Sequence, residues 1–140
     1  MILKDTFFEY DVQNENGRIY TKDVVVKMIE QFNARPVGMF GELHHTDITN
    51  VVSLKNASHI VTELHLNEEK STLDGTIEIL DTPTGNTIKH LMEKGMKWND
   101  GFKLSPRGIG HINEKTKEID TNTYELISFD IIPKIELTNE

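Results

Sequence analysis

The chain has 140 residues, no cysteine, and a formal net charge of -8 from 23 acidic and 15 basic residues. That length suits one domain over residues 1–140, large enough to bury a core without a staple, and the missing cysteines exclude disulfides, zinc thiolates and cysteine nucleophiles. The acidic balance argues against a general nucleic-acid binder, and no apolar run approaches the roughly 20 residues of a membrane span, nor does Met1–Asp5 resemble a signal peptide.

In chain order, Phe7–Val12 reads as a strand and Asn14-Glu15-Asn16-Gly17 as a turn. Thr21 is placed as an N-cap. Val24, Val25, Met28, Ile29 and Phe32 then recur at helical spacing, predicting a helix over Lys22–Asn33 that Pro36 terminates. Residues 37–43 and 51–54 read as extended. Ala57–Leu66 and Leu73–Leu80 alternate and are predicted to form a long antiparallel hairpin across a polar turn, with Gly75 a bulge or a close approach. Pro83 suits the start of a second helix, whose buried face is Ile88, Leu91 and Met92 and whose C-cap is Gly95. A loop with Trp98 follows, then the glycine-rich stretch Gly101–Gly110, and Tyr124–Ile132 is the last strand. Many strands with two short helices predict an α+β fold, mainly an antiparallel β sheet or barrel.

The chemistry concentrates in Leu104-Ser105-Pro106-Arg107-Gly108-Ile109-Gly110. A serine followed by glycines offers a hydroxyl beside backbone that a substrate can approach closely. The same stretch also reads as a plain tight turn. Pro106 has no N–H, so an oxyanion amide would come from Arg107, Gly108 or elsewhere, and the Arg107 side chain could instead bind a carboxylate. A serine nucleophile needs a base. His45 is the economical choice, since imidazole titrates near neutrality. Adjacent strand residues face opposite ways, so His44 and His45 make a poor metal pair, and no metal site is expected. Histidines resting in ordinary polar loops are the competing reading. Glu42, Asp47, Asp81, Asp100 and Asp130 lie near candidate loops, and a carboxylate pair of the glycosidase kind is the weakest reading. Asp130 stands apart, inside the apolar run Ile127–Ile132. Buried, it needs a partner; it could orient a histidine, or it could face outward.

Four segments together resemble the prohead core serine proteases of tailed bacteriophages, the capsid-maturation enzymes of the T-even type. Asn14–Tyr20 is similar to their Asn-rich turn before Arg-x-Tyr-Pro, with Thr21 in place of the proline. Gly41-Glu42-Leu43-His44-His45-Thr46 resembles Gly-Glu-Leu-Asp/Asn-His-Pro. The serine stretch resembles Val/Ile-Ser-Ser-Arg-Gly-x-Gly, with Pro106 at the second serine, and Phe129–Pro133 resembles the closing hydrophobic-Asp-hydrophobic segment. The resemblance spans residues 10 to 133. It implies a herpesvirus-protease-like fold and endopeptidase cleavage of scaffold and major capsid proteins, inside the prohead, in the bacterial host cytoplasm. It implies Ser105 as nucleophile, His45 as base and Asp130 as third catalytic member, with His59 as the rival third member. The oxyanion hole would be formed by the Arg107 and Gly108 amides. No cofactor, nucleic acid or membrane is implied, and homo-oligomerisation is left open. The alternative function is an inactive protease-fold protein with a structural role in virion assembly.

Overall fold

The computed structural model describes residues 1–43 and 52–134. Two β sheets meet at a seam. The larger has the order β1-β4-β3-β2, built from β1 (Ile2–Glu9), β2 (Met39–Glu42), β3 (Ala57–Asn67) and β4 (Thr72–Ile79). The smaller pairs β5 (Phe102–Ile109) with β6 (Glu125–Pro133). Both sheets are antiparallel throughout. They are joined where the end of β2 turns onto β6, through a parallel bridge between Leu43 and Ile131. Among the described residues the strands form two joined sheets and do not close a barrel, which settles that alternative in favour of the sheet.

Helix α1 (Lys22–Asn33) starts and ends where the apolar spacing puts it. The Thr21 side chain accepts the Val24 N–H at 3.3 Å, satisfying one of the otherwise orphaned first-turn donors. Val24, Val25, Met28 and Phe32 are buried, and Ile29 packs against the core. The opposite flank of the helix fixes the entry to β6. Gln31 donates to the Tyr124 carbonyl and accepts from the Leu126 N–H, while Arg35 donates to the Leu126 carbonyl. Side chains at the end of the helix thus fix the backbone of a strand far away in sequence.

The β3–β4 hairpin forms as expected. At Gly75 the finding is a close approach, to the Glu63 carbonyl and the Phe7 ring. Helix α2 (Pro83–Glu93) has Pro83 in its first turn, and its N-cap Thr82 accepts from the Gly85 N–H. Its C-cap residue is Lys94, with Gly95 just beyond at φ +108°, a left-handed conformation that suits glycine.

Three segments differ from the sequence-based expectation. β1 begins at Ile2, well before Phe7, because pairing to β4 supplies what the polar residues Lys4, Asp5 and Thr6 do not advertise. The loop around Trp98 contains a third helix, α3 (Trp98–Gly101). There the indole stacks on Phe102 with ring centroids 5.3 Å apart and donates to Asp5 Oδ2 at 2.7 Å. Leu54, the last residue of the run expected to be extended, instead opens a 3-10 turn over Leu54–Asn56.

Candidate functional site

The serine stretch is a strand, not a turn. Ser105 lies mid-β5 with Asp130 of β6 as its Cα partner, and Arg107 is opposite Ser128. Cross-strand partners project to the same face. Ser105, Arg107, Ser128 and Asp130 therefore share one polar face, while Leu104 and Phe129 point the other way into the core.

Pro106 fits because of where its neighbour's carbonyl points. Its partner is Phe129, whose carbonyl oxygen accepts from His59 Nε2 at 2.7 Å, on the far side of β6 from β5. Pro106 and Phe129 are thus a non-hydrogen-bonded pair of the ladder, and the missing N–H costs no ladder bond. Alternation then turns the Arg107 N–H toward β6 and the Gly108 N–H toward the open edge of β5. The ladder also shifts register between Arg107 and Gly108, with Ile127 as the extra residue on β6.

On this face lies a buried ion network. Arg107 Nε donates to Asp130 Oδ2 at 2.8 Å and Nη2 donates to Asp130 Oδ1 at 3.0 Å, a two-pronged contact between groups that are 3% and 0% exposed. The same Nη2 reaches Glu42 Oε2 at 3.1 Å. Asp130 Oδ1 also accepts from the Glu42 N–H at 3.0 Å and from the Ser128 hydroxyl at 3.0 Å. The Asp130 hydrogen bond, assisted by Glu42, raises the Arg107 pKa against the opposing effect of burial, so the guanidinium stays charged. A carboxylate inside an apolar strand thus finds the partner its burial requires, and the carboxylates that Arg107 binds are internal ones.

His59 occupies a second buried polar node. Its Nε2 faces the Phe129 carbonyl, which can only accept, so Nε2 carries the proton. Nδ1, 2.7 Å from Ser58 Oγ, then accepts from the hydroxyl. Both ring nitrogens are engaged in the neutral form. Burial lowers the His59 pKa to about 4, outweighing the Phe129 carbonyl and the Asp130 charge, which pull upward. A Cβ at Gly41 would run into His59 Nε2 and the Phe129 carbonyl, so the seam requires glycine there.

Gly108 meets the ring and hydroxyl of Tyr124, which leave no space for a side chain. The Tyr124 hydroxyl is buried without a hydrogen-bond partner among the described residues, and burial raises its pKa well above the usual phenol value.

A cleft of about 280 Å3 opens alongside β5, between Leu104, Ser105 and Pro106 on one wall and Phe7, Phe8, Val12 and Tyr20 on the other. Lys103, ion-paired with Glu15, also lines it. A larger polar hollow of about 710 Å3, among Thr21, Asp23 and residues 111–113 and 118–122, contains none of the candidate residues.

The structure therefore brings Ser105, Arg107, Gly108 and Asp130 into one strand pair and sets His59 behind β6, against the Phe129 carbonyl. His44, His45 and Asp47 lie outside the described residues. Asp81 and Asp100 are elsewhere, the former exposed and paired with Lys89 at 2.5 Å. No group of three or more metal-binding side chains occurs among the described residues. In the sequence Glu42 is one carboxylate among several; in the fold its contacts join β2, β5 and β6.

The family model described as prohead core protein serine protease matches residues 1–132. Among solved structures, the bacteriophage T4 capsid assembly protease, gp21, superposes with a TM-score of 0.80 at 16% sequence identity, covering 94% of this chain and 80% of that one. At that identity the superposition speaks for the fold: antiparallel sheets with a few short helices. No curated protein matches the chain.

Proposed function

Because the chain belongs to the prohead core protein serine protease family, we propose that its serine-protease chemistry is carried by Ser105, with His45 as base and Asp130 as third member, and that it cleaves scaffold and major capsid proteins inside the maturing prohead in the bacterial host cytoplasm. The observation that carries this reading is the cross-strand pairing of Ser105 with Asp130, beside the strand end that leads to His45.

His45 takes the Ser105 proton as Oγ attacks the scissile carbonyl. It then delivers that proton to the departing amine, and water releases the acyl group by the reverse sequence. Of the two candidate oxyanion amides, alternation favours Gly108, whose N–H faces the open edge. The Arg107 amide faces the ladder, and its guanidinium holds Asp130 in place. Asp130 is preferred to His59 because both ring nitrogens of His59 are already committed, so it could engage another histidine only by giving up a bond.

Incubation of the protein with its cognate scaffold or capsid protein, beside Ser105→Ala and His45→Ala, tests the reading. The wild type cleaves and both variants lose cleavage. Cleavage by Ser105→Ala at the wild-type rate removes Ser105 from the mechanism. No cleavage by any form favours a structural role in assembly.

A further inference from the structure

We infer that Glu42 is a positioning residue of this protease, acting through two attachments that tie the stem of the His45-bearing stretch to the strand that carries Ser105. The inference rests on the Ser105–His45 reading above.

Glu42 is the last residue of β2 and sits at a register shift, where Gly41 pairs with His59 but Glu42 pairs with Ala57. Its backbone leaves β3 at that point and turns to β6: the Glu42 N–H donates to Asp130 Oδ1 at 3.0 Å, and Leu43 bridges Ile131. Its side chain does two further things with one oxygen. Oε2 accepts from Arg107 Nη2 at 3.1 Å and from the Ser53 N–H at 3.1 Å. Residues 42 and 53 flank the stretch containing His45, so one carboxylate oxygen joins both flanks to each other and to Arg107 of β5. The carboxylate is 17% exposed, and a charged group so placed is not needed for solubility.

Asp130 already balances the charge of Arg107. A second carboxylate therefore adds little to the stability of a buried ion pair. What it adds is geometry: the guanidinium fork holds Asp130, opposite Ser105, and Glu42, which precedes His45, in one rigid unit. A nucleophile and a base supplied by separate parts of the chain need such a link, because a displacement of about 1 Å costs roughly 100-fold in rate.

The test compares Glu42→Ala, Glu42→Gln and Ser53→Pro with wild type and Ser105→Ala. Ser53 has φ -78°, which proline tolerates, so that substitution removes the N–H that reaches Glu42, together with the serine hydroxyl, which does not cap the 3-10 turn. Cleavage kinetics on a capsid-derived peptide and the rate of Ser105 modification by a fluorophosphonate are measured at equal folded fraction, set by circular dichroism. For Glu42→Ala, kcat and the labelling rate fall together by about 100-fold while KM moves only a few-fold. Glu42→Gln lies between it and wild type, since its amide oxygen still accepts from Ser53 and Arg107. Ser53→Pro falls in the same direction. The inference is overturned if Glu42→Ala keeps wild-type kcat, or if its whole loss lies in KM or in unfolding. If Glu42→Ala does not fold, Glu42→Gln and Ser53→Pro decide on the same criteria. A dead Ser105→Ala beside fully active Glu42 variants defeats this inference alone, whereas an active Ser105→Ala defeats the Ser105 reading beneath it.

Discussion

The seam between the two sheets contains two buried polar nodes that solve the same problem in opposite ways. At one, the Arg107 guanidinium stays charged and is held by the carboxylates of Asp130 and Glu42. At the other, His59 gives up its charge and spends both ring nitrogens on Ser58 and the Phe129 carbonyl. They share a strand: Phe129 serves the second node with its backbone carbonyl and Asp130 the first with its side chain. The difference shows how one strand can support a site. The ionic node stands beside Ser105 and joins three strands by directional bonds, so it can transmit position. The neutral node crosses from β3 to β6 behind the site and fastens the sheets together.

Breaking the ionic node has the largest effect. Arg107→Ala leaves Asp130 buried without its bidentate partner, and should cost about 3–5 kcal/mol in urea unfolding. A loss below about 1 kcal/mol would mean that the pair carries no structural weight.

The neutral node is probed by acid. His59 has its pKa depressed from 6.5 to about 4 in the folded protein, so between those values the unfolded chain binds the proton and the native one does not. Its contribution is complete above pH 6.5 and is lost as pH falls toward 4. Over that window the wild type should lose about 3 kcal/mol relative to His59→Gln, which cannot titrate. Parallel pH–stability curves for the two proteins would contradict the neutral assignment.

The smallest effect belongs to the strand edge between the nodes and the cleft. Gly108→Ala places a methyl group against the Tyr124 ring and hydroxyl, an overpacking that should cost about 1–3 kcal/mol by thermal unfolding. It should also lower kcat by shifting the Gly108 amide. Unchanged melting with unchanged kcat would show that β5 has slack at this point.

What the sequence disclosed was mostly local. Thr21, the apolar spacing after it and Pro36 delimit α1, because caps and periodicity act within a few residues. The hairpin of β3 and β4 was legible from alternation. β5 was not, since Gly101, Pro106, Gly108 and Gly110 are the residues of turns. Only the pairing of Pro106 with Phe129, whose carbonyl turns elsewhere, makes a strand tolerate them there. The need of Asp130 for a partner could be read from its apolar neighbours, but the identity of that partner depends on the register of β5 against β6. The function of Glu42 depends on where β2 ends, on β6 and on Ser53 at once, and no local pattern records such a convergence.

Fluorophosphonate labelling followed by peptide mapping tests the central claim most directly. The account predicts one adduct, on Ser105, formed rapidly by the wild type and lost in His45→Ala. An actively cleaving protein that carries no adduct at Ser105, or carries it on another serine, would contradict the account.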